Sequence, residues 1–206
     1  MNDAGCFIVF EGIDGCGKST QAKLLAENLS GLLTHQPGGT PLGAEIRRLL
    51  LNSKDAPISG DMDSRAETLL MAADRAQHVS EAIRPAMAAG QHVVCDRYSG
   101  SSVAYQGYGR GLEPDEVAQI SQWATDGLAP DLVILLDLAV EESFSRSDSS
   151  PDRIESAGAE FQARVRAGFL KQAINRPRRW AVIEAGGSVA EVSQRVNAVV
   201  NDRLGL

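Results

Sequence analysis

Gly12-Ile13-Asp14-Gly15-Cys16-Gly17-Lys18-Ser19 follows an apolar run, Phe7-Ile8-Val9-Phe10, and precedes a helical pattern carried by Gln21-Ala22-Lys23-Leu24-Leu25. The spacing is G-x-x-x-x-G-K-[ST] in a strand-to-helix setting. Glycines there let successive backbone N–H groups curl around an anion. The start of the following helix adds partial positive charge. Lys18 is placed to reach the β- and γ-phosphates of a nucleoside triphosphate, and Ser19 to ligate Mg²⁺. The run from Gly12 to Thr20 is therefore read as an ATP site. The bland alternative is a tight turn that merely contains Lys-Ser. The loop predicts a ligand and a metal but no reaction.

Working outward, further apolar runs recur along the chain: Gly31-Leu32-Leu33-Thr34, His92-Val93-Val94-Cys95, Leu132 to Leu136, and Trp180-Ala181-Val182-Ile183. They lack clean alternation, as strands do when both faces of a parallel sheet are covered. Helical patterns lie between them: 18–29, 42–51, 64 to about 89, 114–126, 159–174 and 189–204. Ser64 and Glu67 have the spacing of a capping box. Pro85 is expected to kink or end its helix, and Gly90 to stop it. Strands alternating with helices predict an α/β fold with a doubly wound, parallel, five-stranded sheet. The 206 residues suit one domain, 1–206.

Apolar residues make up 43% and charged residues 23%, as in a soluble globular protein. No apolar run approaches the ~20 residues of a membrane span. Met1-Asn2-Asp3 lacks the basic start of a secretory signal. Cys6, Cys16 and Cys95 show no metal-ligand spacing and read as reduced thiols of a cytoplasmic protein. The net charge of −7 argues against nucleic acid as a partner. It leaves room for a small anion held by local arginines.

Asn52-Ser53-Lys54-Asp55 has the wrong spacing for the guanine-reading N-K-x-D of GTPases and follows no strand. A short acidic chain with a second anion site fits a small-molecule kinase better. Val93-Val94-Cys95-Asp96-Arg97-Tyr98 supplies part of that site. Asp96 ends a buried strand, where ligands of doubly wound sheets bind. Its carboxylate is read as holding Mg²⁺ through water, and Arg97 as gripping phosphate with both arms of its fork. Alternatively Asp96 caps the next helix and Arg97 pairs with it.

Several stretches together resemble the thymidylate kinase family: Phe10 to Ser19 (FEGIDGCGKS), Pro37 to Thr40 (PGGT), Gly43 to Arg47 (GAEIR), Ala72 to Arg75 (AADR), Asp96 to Tyr98 (DRY), Ala104 to Gly107 (AYQG) and Asp152 to Glu155 (DRIE). The resemblance runs along nearly the whole chain. It implies transfer of the γ-phosphate of ATP to dTMP, with Mg²⁺ and a homodimer. It further implies that Asp14 accepts from the acceptor sugar's 3′-hydroxyl, and that Arg47 and Arg97 grip the acceptor phosphate. Arg75 is then the donor to a thymine carbonyl, and Tyr105 crowds the sugar's 2′-position. Pro37, Ser101 and Gln106 join the same site. Without the family, Arg47 reads as a solvated helix residue and Arg75 as an ion-pair partner of Asp74 or Glu67. Met71 stands where the family usually has a phenylalanine stacked on the base; it reads equally as core.

The polar stretch 145–153 is the candidate lid, closing the site against water. Gly15 lies where some family members carry a loop arginine. Arg153, and Arg146 beside the ATP, are therefore expected to contact the transferring phosphate. The alternative is a surface loop with Arg153 paired to Asp152 or Glu155. His35-Gln36 replaces the family's usual Arg-Glu. Two rival functions stand beside dTMP kinase: a kinase of another nucleoside monophosphate, and a nucleotide-binding regulator without catalysis.

Overall fold

The computed structural model describes residues 4–51, 62–146, 153–154 and 158–206. The five apolar runs form strands β1 (Phe7–Glu11), β2 (Leu32–His35), β3 (Val93–Asp96), β4 (Leu132–Asp137) and β5 (Trp180–Glu184). Every neighbouring pair is parallel, in the order β2-β3-β1-β4-β5. The fold is the expected α/β one. All of β1 is buried, which explains why its sequence does not alternate.

Register decides what meets at the carboxyl edge. Phe10 of β1 and His35 of β2 both stand opposite Asp96 of β3. The phosphate loop, His35-Gln36 and Asp96-Arg97 therefore leave the sheet side by side, where ligands of such sheets bind.

Helix α1 (Lys18–Asn28) begins straight after Gly17, whose φ of 93° is left-handed. Gly12 has a second reason to be glycine: a Cβ there would lie 2.5 Å from the Leu136 carbonyl oxygen. Helix α2 spans Pro41–Leu51 and α3 spans Ser64–His78. Helix α3 continues through a π-helical turn, Val79–Ile83, into α4 (Arg84–Ala88). Pro85 therefore sits in a first turn, where its missing N–H costs little, rather than ending the long helix. The stop comes at Ala88, with Gly90 at φ 79°.

Three pieces escaped the periodicity because each is too short or too irregular to show one. Helix α5 (Ser99–Ser102) runs into a π-helical stretch, Val103–Gly109, and α7 spans Val140–Ser145. The remaining helices, α6 (Pro114–Ala124), α8 (Ala159–Asn175) and α9 (Val189–Leu204), match expectation within two residues. The capping-box reading of Ser64 and Glu67 is corrected. Asp63 is the N-cap, accepting from the N–H groups of Arg65 (2.9 Å) and Ala66 (3.3 Å), and Glu67 is fully buried.

The core joins β1, β3 and β4 to Ala22 and Leu25 of α1, Phe161, Val165 and Phe169 of α8, and Val192, Val196 and Val200 of α9. All three cysteines are free thiols. Among the described residues no helix is long and apolar enough to cross a membrane.

Candidate active site

Lys18 is buried at the base of the phosphate loop and donates from Nζ to the Ile13 carbonyl at 2.6 Å. Ser19 Oγ donates to Asp96 Oδ2 at 2.5 Å. Asp96 Oδ1 is buried and has no hydrogen-bond partner among the described residues. These groups line an open cleft of about 640 Å³ with Gly15, Gly17, Thr20, His35 and Arg146. A hydroxyl and an orphaned carboxylate oxygen side by side are hard donors of the kind Mg²⁺ prefers. Two protein ligands suffice, because this ion keeps waters and takes phosphate oxygens. No cluster of three His, Cys, Asp or Glu exists among the described residues. The donor set thus fits Mg²⁺.

Across the loop lies a smaller cavity of about 120 Å³. Its walls include Asp14, Pro37, Arg47, Met71, Arg75, Arg97, Ser101, Tyr105 and Gln106. The structure therefore brings every residue expected at the acceptor site into one cavity. Asp14, Gln36, Arg47 and Arg97 line both this cavity and the larger cleft.

Arg97 joins the two. Its Nη1 donates to the Gly12 carbonyl (3.0 Å) and Ser101 Oγ (3.1 Å). Its Nη2 donates to Asp14 and to Tyr105 Oη (3.1 Å), and the guanidinium lies 5.0 Å from the Tyr105 ring centre. Tyr105 Oη donates in turn to Asp14 Oδ2 at 2.7 Å. Burial works to raise the Asp14 pKa, but Arg97 and Lys18 prevail and pull it down to about 2. Asp14 thus meets a ligand as a charged acceptor at any ordinary pH.

Arg47 donates to the Pro37 carbonyl at 2.8 Å, while its neighbour Arg48 pairs on the surface with Glu45. Both arginines are exposed, so the solvated reading holds for the Arg47 stem even as its head group reaches the cavity. Arg75 is buried and pairs with neither Asp74 nor Glu67. It donates to Gln36 Oε1 (3.0 Å), Ser121 Oγ (3.3 Å), the Tyr98 carbonyl (3.1 Å) and Ser102 Oγ (3.0 Å). Met71 is half-buried and does two things: it packs on the core and faces the cavity. Ser101 lines the cavity and has a second duty there. Its hydroxyl is committed to Glu11 Oε2 at 2.5 Å and accepts from Arg97, so it braces the arginine.

The two lid arginines have protein partners of their own in this structure. Arg153 does not reach the phosphate loop; it donates to the Leu50 carbonyl (2.9 Å) and to Glu67 Oε2 (2.5 Å). The fully buried Glu67 carboxylate needs cationic partners to offset its desolvation, and Arg153 is one of them. Arg146 borders the larger cleft but donates to Glu142 (2.5 Å) and the Ala185 carbonyl (3.1 Å). The rest of the lid, including Asp148, Pro151, Asp152 and Glu155, lies outside the described residues, as does Asn52 to Asp55.

Sequence reasoning missed three supports. Glu11 is fully buried under Tyr98 and Ser101. Burial lifts its pKa to about 6, although Ser101 and Arg97 oppose the rise. Glu67 gathers the groups behind the acceptor cavity. The third is a relay through Gln36, treated in the sequence only as a lost charge. Because Gln36 Oε1 accepts from Arg75, its NH₂ must face His78 Nδ1 (2.9 Å). His78 then carries its proton on Nε2 and donates to Thr34 Oγ1 at 2.6 Å.

Burial, aided by His35 and Arg75, pushes the His78 pKa down to about 4 from 6.5. The unfolded chain therefore takes up this proton first as pH falls. The stability held above pH 6.5 is lost as pH falls to 4, by about 3 kcal/mol. Glu11 titrates in the opposite sense between pH 6 and 4.5. Comparison with His78→Gln cancels that term: the wild type's advantage in urea melts should shrink by about 3 kcal/mol between pH 7 and pH 4.

A parallel sheet of this order, with a glycine-rich phosphate loop on its central strand and a second cavity across the cleft, defines a P-loop nucleotide kinase fold. The model of the thymidylate kinase family matches residues 10–196. The chain belongs to the thymidylate kinase family. It is 48% identical to the thymidylate kinase of Cutibacterium acnes over 96% of this chain and 98% of that one. It is 46% identical to that of Bifidobacterium longum subsp. infantis over 98% of this chain and 88% of the relative. The crystal structure of thymidylate kinase from Ehrlichia chaffeensis superposes with a TM-score of 0.75 at 34% identity, covering 96% and 99% of the two chains.

Proposed function

We propose that this protein transfers the γ-phosphate of ATP to dTMP, giving dTDP and ADP. The observation that carries this reading is the meeting of two cavities at Asp14, Arg47 and Arg97. ATP lies along the phosphate loop, with Lys18 against its β- and γ-phosphates and Arg146 at the cleft rim. The monophosphate lies in the smaller cavity, its phosphate held by Arg47 and Arg97 and its 3′-hydroxyl by Asp14. Its attacking oxygen is already anionic, so alignment and charge neutralisation replace a general base. Ser19 and Asp96 would hold Mg²⁺, which when bound neutralises charge on the phosphate chain. Arg153, expected at the transferring phosphate, starts from the wall of the acceptor cavity, where it is held on Glu67.

ADP release measured with ATP and dTMP, dUMP or dCMP in turn tests the assignment. Turnover highest with dTMP supports it. A higher rate with another monophosphate makes the protein that kinase, and ATP binding without any ADP makes it a regulator.

The remaining reading is of one kinase domain over 1–206 with a lid at 145–153, acting in the cytoplasm without nucleic acid. It acts as a homodimer. The sequence shows no dimer face, but α3 and α6 present an apolar groove of Leu69, Ala72, Ala73, Ala76, Ile120 and Trp123. Trp123 is 84% and Leu69 59% exposed, a neighbouring apolar pair of the kind that marks interaction surfaces. Trp123→Asp should weaken self-association at least about thirtyfold, as loss of an aromatic hot spot does. Sedimentation velocity reads this directly, and a monomeric wild type at micromolar concentration would refute the dimer.

A further inference from the structure

Glu67 of α3 is fully buried, and neither the helix-cap nor the Arg75 ion-pair role expected from the sequence is what it does. Its Oε1 accepts from Gln106 Nε2 (2.9 Å) and Arg110 Nε (3.3 Å). Its Oε2 accepts from Arg110 Nη2 (3.2 Å) and Arg153 Nη2 (2.5 Å). Three separate segments converge on this one carboxylate, and each builds a wall of the acceptor cavity. Helix α3 brings Met71 and Arg75, the π-helical stretch brings Tyr105 and Gln106, and the turn at 153–154 brings Ile154.

The chemistry of the contact fixes a direction. Burial raises the Glu67 pKa, but the hydrogen bonds from Gln106, Arg153 and Arg110 prevail and hold it below its ordinary value. The group is therefore a carboxylate, which can only accept. Gln106 must turn its NH₂ towards it. The amide's carbonyl oxygen is then the end that can accept from a ligand N–H. On the same cavity, Arg75 uses four of its five N–H groups on partners among the described residues. The remaining one is a donor for a ligand carbonyl.

We infer that Glu67 is a positioning residue that sets acceptor choice: by fixing the Gln106 amide and drawing in the Arg153–Ile154 turn, it tunes the cavity to a base with a ring N–H beside a keto oxygen. Thymine and uracil carry that edge. Cytosine presents an amino donor and a ring-nitrogen acceptor, which meets donor with donor and acceptor with acceptor. Sites built on buried polar pairs reject such mismatches strongly. The inference rests on the dTMP-kinase reading and deepens it.

Glu67→Gln tests it with little change of volume. A glutamine can donate as well as accept, so it no longer dictates which way Gln106 points. The expected result is a loss of at least about tenfold in kcat/KM for dTMP, carried by KM for dTMP, with KM for ATP within about twofold. The preference for dTMP over dCMP should fall at least about tenfold. Glu67→Asp keeps an acceptor-only charge with shorter reach. It should retain the preference even where its melting temperature falls as far as that of Glu67→Gln. A lowered melting temperature in Glu67→Gln with the dTMP-to-dCMP ratio unchanged would reduce Glu67 to packing and overturn the inference. Loss of the ratio in a folded Glu67→Asp would do the same, and serves as the test if Glu67→Gln does not fold. A wild type without preference for dTMP overturns the underlying assignment and this inference with it; a wild-type preference that Glu67→Gln keeps overturns this inference alone.

Discussion

Lys18→Ala is expected to lower turnover with ATP and dTMP by about 10²- to 10³-fold or more while the protein stays folded. The argument starts from where the ammonium sits. It is buried beneath the phosphate loop and donates to the Ile13 carbonyl at 2.6 Å and, more weakly, to Cys16 Sγ at 3.7 Å. No carboxylate pairs with it among the described residues. A buried cation whose carboxylate, Asp14, acts on it only from beyond salt-bridge distance recovers little of its desolvation cost, so its removal should not lower the melting temperature by much. What it stands ready for is a triphosphate, whose transferring charge it would neutralise without reorganisation. The measurement pairs a coupled ADP-release assay with a thermal melt. A folded variant within tenfold of wild-type turnover would remove Lys18 from the mechanism.

That role was legible because the phosphate loop is local. Gly12 to Ser19 form one turn whose conformation depends on residues adjacent in the chain, and β1 to β5 announce themselves through unbroken apolar runs. The acceptor cavity was legible residue by residue only through the family's motifs; spacing alone never joins Met71 to Tyr105. What stayed hidden depends on distant partners. Glu67 has the spacing of a helix cap, and nothing nearby contradicts it. Its actual partners stand 39, 43 and 86 residues away. The same long-range pull holds Arg153 on Glu67, and no local pattern says that a buried carboxylate waits for it. Gln36 looked like a lost charge because its value lies in direction: one amide accepts from Arg75 and donates to His78 at once. The π-helical stretch at Val103–Gly109, which sets Tyr105 and Gln106 in the wall, has no signature in hydrophobic period.

Arg97→Ala should cost about as much activity as Lys18→Ala, and unlike it should also destabilise the fold. Arg97 is the residue on which both cavities converge, and its backbone is left-handed at φ 71°, a conformation unfavourable for a non-glycine residue. Such strain persists because the side chain is tied at four points: Gly12, Ser101, Asp14 and Tyr105. Truncation leaves Asp14 in a partly desolvated place with Lys18 as its remaining cation. The depression of the Asp14 pKa from 3.8 to about 2, to which Arg97 contributes, corresponds to about 2 kcal/mol at neutral pH. A protein of this size should then melt about 5 °C lower. Because a depressed carboxyl stabilises only while ionised, the gap should be full above about pH 4 and close as pH falls towards 2. Arg97→Gly separates strain from chemistry. It should be as inactive as Arg97→Ala but more stable by about 1 kcal/mol, since glycine accepts the left-handed backbone freely. If Arg97→Ala instead kept turnover within tenfold of wild type, the two cavities would not share this residue in the reaction, and an acceptor phosphate held by Arg47 alone would have to replace the arrangement proposed.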